Sequence, residues 1–157
     1  MYAVKRFSGR NVRYLRTMSV KRIESLHYGG EGFRPLLVRP GWQVAQLNDR
    51  ADLHADTVGK VERHDATDEV FLLVKGAATL IAAEESSGGG LAFECVAMAQ
   101  GVTYTISKGL WHTIVTTPGM QVMIVERDGT DGSDVIRREL TAGEREALRK
   151  GVRLCAG

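Results

Sequence analysis

Glu62 and His64 stand two residues apart, Glu69 follows five residues after His64, and His112 lies well downstream. A carboxylate and an imidazole two positions apart on a strand point to the same face. Asp65-Ala66-Thr67-Asp68 is built of turn formers, so Glu69 is expected to open the returning strand of a hairpin, across from the Glu62/His64 pair. His112 begins a later strand just past the turn at Gly109, and closure of a sheet can carry it toward the other three. Imidazole and carboxylate donors together suit Fe, Mn, Ni, Co or Zn. A site of three or four protein ligands leaves positions for water or substrate, as a catalytic metal needs.

Strands must position these groups. Candidate strands are residues 35–39, 42–48, 57–64, 69–75, 77–83, 91–98, 102–106, 112–116, 121–126 and 134–138, with breakers such as Pro40-Gly41, Gly76, Gly101, Lys108-Gly109 and Pro118-Gly119 between them. Short strands at this spacing, with no helical pattern between them, indicate an all-β sandwich or barrel. Leu91, Phe93, Cys95 and Ala97 alternate with Ala92, Glu94, Val96 and Met98, a period of two. Residues 70–74 are continuously apolar and are expected to be covered on both faces. One helix comes last. Thr141-Ala142-Gly143-Glu144 reads as a capping box, Arg149 and Lys150 sit near the other end, and Gly151 fits as the residue after that end.

The stretch 56–116 resembles the two-part motif of the cupin superfamily. The first part runs Gly, five residues, His-x-His, three or four residues, Glu, six residues, Gly. Here it reads Asp56, five residues, Glu62-Arg63-His64, four residues, Glu69, six residues, Gly76. The second part runs Gly, five residues, Pro-x-Gly, two residues, His, three residues, Asn. Here it reads Gly101, five residues, Ser107-Lys108-Gly109, two residues, His112, three residues, Thr116. Spacing is kept throughout; Asp56, Glu62, Ser107 and Thr116 depart from the motif's residue types. The resemblance implies a double-stranded β-helix, a small jelly-roll barrel, holding a divalent ion (Mn, Fe, Ni or Zn) on Glu62, His64, Glu69 and His112. Glu62 either completes that set, making it harder and more negative, or turns toward Arg63, Lys60 or a substrate cation and leaves three ligands. The resemblance also implies a small-molecule substrate or ligand and a homodimer. Isomerase, lyase and oxygenase chemistry all fit such a centre, and a non-catalytic binding or sensing module is the alternative.

Tyr104, Trp42 and His54 are further candidates for the barrel mouth, where they would contact substrate. Trp111 precedes His112 and so faces the opposite side, toward core or dimer packing. Gly88-Gly89-Gly90 is a hairpin tip rather than a phosphate loop, since no Gly-Lys-Ser/Thr follows.

The chain has 157 residues, 43% of them hydrophobic and 25% charged, and Gly is enriched at 18. That composition is ordinary for a soluble globular protein. The expected division is a basic extension over residues 1–18, a barrel over 19–140, and a helix with its tail over 141–157. Residues 1–18 hold Lys5, Arg6, Arg10, Arg13 and Arg16 with no acid, which leaves 16 basic and 19 acidic residues in the rest. That mildly acidic body argues against nucleic acid as a partner. No apolar run approaches the roughly 20 residues of a membrane span, and no secretory h-region separates Met1 from Met18. Cys95 and Cys155 lack metal or redox spacing; Cys95 is expected in the core, and a free Cys155 thiol fits a reducing compartment, so cytoplasm is the expected location.

Overall fold

A computed structural model describes residues 23–155. The basic extension expected over 1–18 lies outside the described residues. Ten strands follow in order: β1 (Phe33–Arg39), β2 (Trp42–Asn48), β3 (Lys60–His64), β4 (Glu69–Lys75), β5 (Ala78–Glu85), β6 (Leu91–Ala97), β7 (Thr103–Ile106), β8 (Trp111–Thr116), β9 (Gln121–Glu126) and β10 (Val135–Glu139). A 3-10 turn at Ala51–Leu53, a four-residue helix α1 (Thr130–Ser133) and the terminal helix α2 (Ala142–Cys155) complete the described chain. The strands form two antiparallel five-stranded sheets, ordered β1-β2-β9-β4-β7 and β10-β3-β8-β5-β6. This is the expected all-β jelly roll closed by a short C-terminal helix.

The first sheet packs on the second through Ala45, Leu47, Phe71, Leu73, Val122 and Ile124 on one side and Ala78, Leu80 and Ile114 on the other. A second core lies on the outer face of the second sheet, where Val61, Ile81, Ala83, Trp111 and Val115 meet Leu140, Leu148 and Val152. Strand β8 is therefore buried at every position, because one face meets the opposite sheet and the other meets α2. Trp111 takes the core role, with the Arg63 guanidinium 4.7 Å over its ring.

Three expectations are corrected. Strands β3 and β4 do not pair as a hairpin; they belong to opposite sheets, β3 bonding to β8 and β10, and β4 to β7 and β9. The run 70–74 is not covered on both faces: Phe71 and Leu73 enter the core while Val74 is exposed. Strand β3 begins at Lys60 rather than 57, since the N–H groups of Thr57 and Val58 both donate to the His54 carbonyl in a turn.

The capping box forms. The Thr141 N–H donates to Glu144 Oε2 at 2.8 Å and the Glu144 N–H donates to Thr141 Oγ1 at 3.3 Å. Glu144 also accepts from Arg138 at 2.8 Å and from the Leu91 N–H at 3.0 Å, which ties the helix start to β6 and β10. The end of α2 differs from expectation. Gly151 lies inside the helix, where a Cβ would sit 2.7 Å from Cys95 Sγ. Its glycine serves close approach of helix to sheet, not termination.

Candidate metal centre

Strands β3 and β8 lie side by side with Glu62 opposite His112, and two residues further His64 points to the same inner face. Glu69, the first residue of β4, reaches the same space from the facing sheet. The site is thus closed across the sandwich rather than along one sheet. His64, Glu69 and His112 are all buried, His112 to 3% exposure.

The loops that carry the motif glycines lock these residues. The Gly109 N–H donates to the His64 carbonyl at 2.7 Å, and the Lys108 N–H donates to Asp68 Oδ1 at 2.9 Å. Gly109 sits at φ 81°, the left-handed region that favours glycine. Gly76, at φ 75°, also passes so close to Met120 that a Cβ would lie 2.7 Å from its Cα.

His112 Nδ1 lies 3.0 Å from the Leu110 carbonyl. A carbonyl can only accept, so Nδ1 carries the proton and donates, which in the neutral ring leaves Nε2 with its lone pair. Nε2 approaches Glu69 Oε2 to 2.8 Å without hydrogen-bond geometry, and both atoms are buried with no hydrogen-bond partner. His64 Nδ1 is a third buried polar atom without a partner, and His64 Nε2 is 3.7 Å from Glu69 Oε2. Unpartnered buried polar atoms are costly, so their convergence fits a cation-binding site. Donor atoms of Glu62, His64 and His112 lie within 4.8 Å of one another, as do those of His64, Glu69 and Glu126. Burial works to lower the His112 pKa, but the Glu69 carboxylate beside it outweighs this and raises it.

The two five-stranded sheets form a jelly-roll barrel around these groups. The inner cavity measures about 750 Å³ and is lined by the two imidazoles, by Phe71, Ile114 and Ile124, and by the charged side chains of Arg50, Lys60 and Arg137. No family profile matches the sequence, and no curated protein matches it. Among solved structures the chain is similar to a cupin-2 domain-containing protein from Shewanella frigidimarina, at 19% identity and TM-score 0.45, over 64% of this chain and 84% of that one. It is similar to protein NMB1881 from Neisseria meningitidis, at 20% identity and TM-score 0.43, over 63% and 88% of the two chains. It is also similar to KdgF from Halomonas sp., at 16% identity and TM-score 0.46, over 68% and 90%. These are likenesses of fold, and the chemistry is read from the residues themselves.

Glu62 holds a different place from the other three. Its side chain is 41% exposed and lies 3.6 Å from Arg137 Nε on β10, rather than turning to Arg63 or Lys60. Arg63 pairs with Asp65 and Lys60 with Glu139. The three candidate substrate contacts do not line the cavity. Tyr104 packs on the core and accepts the Ala99 N–H at 2.9 Å through its hydroxyl. His54 Nε2 bonds to Asp49 at 2.8 Å, and Trp42 is exposed at the start of β2. Thr116, at the motif's Asn position, is buried and donates to Asp49 Oδ1 at 3.0 Å.

Sequence reasoning missed Glu126, a buried carboxylate on the cavity wall. The pattern that could have found it is the alternation of β9, where Val122 and Ile124 face inward and the next residue of that parity is Glu126. Gln43, its register partner on β2, is buried too and donates to Glu126 Oε1 at 2.7 Å. Burial pushes the Glu126 carboxyl up and the neighbouring Glu69 carboxylate adds to this, against hydrogen bonds from Thr130 and Gln43.

Proposed function

We propose that the chain holds a divalent ion, Mn, Fe, Ni or Zn, on Glu62, His64, Glu69 and His112, and uses it on a small molecule as a metal-dependent enzyme of the isomerase, lyase or oxygenase type. The observation that carries this is the fixed tautomer of His112, which turns an unpartnered Nε2 lone pair toward an equally unpartnered Glu69 oxygen in a buried site. When bound, a divalent ion supplies a Lewis acid that polarises a substrate oxygen. The chain does the rest. Phe71, Ile114 and Ile124 give the cavity an apolar wall beside the imidazoles and carboxylates, and the exposed Arg137–Glu62 pair also lines it.

The test is metal analysis of the purified protein and of the His64→Ala/His112→Ala double variant. Stoichiometric metal in the wild type and none in the variant supports the site; equal content in both refutes it. Turnover across a substrate panel with Mn, Fe(II), Ni or Zn then divides an enzyme from a binding or sensing module, which silence across the panel would favour. The departures at Glu62 and Thr116 from the motif speak for that second reading.

A homodimer and a cytoplasmic setting belong to the same proposal. Leu37, Val44, Val125 and Val70 form a cross-strand row whose neighbours Ala45, Ile124 and Phe71 point into the core, so the row faces outward. Val125 is 40% exposed, and such a face suits a second copy. Light scattering giving a monomer mass at micromolar concentration would remove the dimer. The two free cysteines support a reducing compartment.

A further inference from the structure

Glu126 is an expensive residue in the place it holds. It continues the inward face of β9 after Val122 and Ile124, at 5% exposure, in a cavity that already contains the Glu69 carboxylate. Burying a second carboxylate beside the first costs several kcal/mol unless charge or hydrogen bonds answer it. The Gln43 amide, itself 2% exposed, donates an N–H to one oxygen at 2.7 Å, and no cationic side chain among the described residues stands beside the carboxyl. No lysine or arginine is paired with Glu126 or Glu69 among the described residues; Glu69 meets only the two imidazoles. One donor atom each from Glu126, Glu69 and His64 lie within 4.8 Å of one another. Glu62 is the opposite case: half-exposed, and paired with Arg137.

We infer that Glu126 is an additional ligand of the ion proposed above, set in the wall of the cavity with Gln43 orienting its carboxylate. The inference rests on that metal-site reading. It adds a second buried carboxylate beside His64 and Glu69, which makes that part of the donor set more anionic. Oxygen-rich, anionic sets suit Mn(II) and Fe(II) better than softer sites do.

Mn(II) titration of the apo full-length chain, followed by electron paramagnetic resonance, tests this. Glu126→Gln keeps shape and hydrogen bonding to Gln43 while removing the charge. Loss of a ligand should weaken Mn(II) by more than about tenfold, since even outer partners of ligands are worth about 10–100-fold. Wild-type-like affinity in Glu126→Gln, with Mn(II) still bound, would overturn the inference and leave the metal site standing. Failure of the wild type itself to bind Mn(II), Fe(II), Ni(II) or Zn(II) would sink both. A Mn-loaded wild-type crystal needs no variant. An anomalous peak within about 2.5 Å of a Glu126 oxygen supports ligation, because metal–oxygen bonds fall in that range; a peak farther away refutes it.

Discussion

The tautomer of one histidine decides what this site can do. The Leu110 carbonyl accepts a hydrogen bond from His112 Nδ1–H and so leaves Nε2 facing the cavity. With the Glu69 carboxylate raising its pKa, His112 holds a second proton more readily than a free imidazole. An incoming cation must displace that proton, so metal uptake should release acid and weaken as pH falls through the imidazole range. Isothermal titration with Mn(II) at several pH values, in buffers of different ionisation enthalpy, will count the protons; a release that does not grow as pH falls would contradict ligation by His112. The four motif residues were legible in the sequence because their types and spacing survive in a linear reading. Glu126 and Gln43 were not, because their meaning comes from strands that pair across long sequence separation. The surroundings of Tyr104, Trp42 and His54 were not legible either: each finds a local partner or solvent, which no spacing reveals.

At the level of elements, strand order mattered more than strand content. The β segments fall close to where alternation and turn residues put them, and β4 and β9 match to the residue. What the linear pattern lacked was partnership, so β3 and β4 read as a hairpin although they face each other across the core. The terminal helix was legible at its start, where local hydrogen bonds cap it, and illegible at its end, where Gly151 answers to Cys95 on another element. Two predictions belong here. Arg138 first, and Thr141 behind it, hold the Glu144 carboxyl down to about 2 from an ordinary 4.5. Such a group stabilises fully above its unfolded pKa and less as pH falls through the folded one. Glu144→Gln should therefore cost about 2 kcal/mol near neutrality, the worth of hydrogen bonds to a charged group. In urea melts the gap to wild type should close as pH drops from 4.5 toward 2. Gly151→Ala should destabilise by about 1 kcal/mol, crowding against Cys95 outweighing the gain in helix propensity. In a Cys95→Ala background the same change should become neutral or stabilising; an unchanged cost would place the strain elsewhere.

For the whole molecule, the outward apolar row on the first sheet and the helix-covered second sheet make the two faces unequal. A Val125→Glu variant should stay folded and shift a dimer toward monomer in sedimentation, since the change lands on an exposed position. If it unfolds the chain instead, Val125 is part of the core and the row is not a free face. The division of donors between sheets has another consequence. His64 and His112 come from one leaf of the sandwich, Glu69 and Glu126 from the other. An ion seated among them rivets the leaves together, so chelation would let them breathe, and amide protons of β4 and β8 would trade with solvent sooner. The cell's supply of cation would then set how long each copy of the protein lasts.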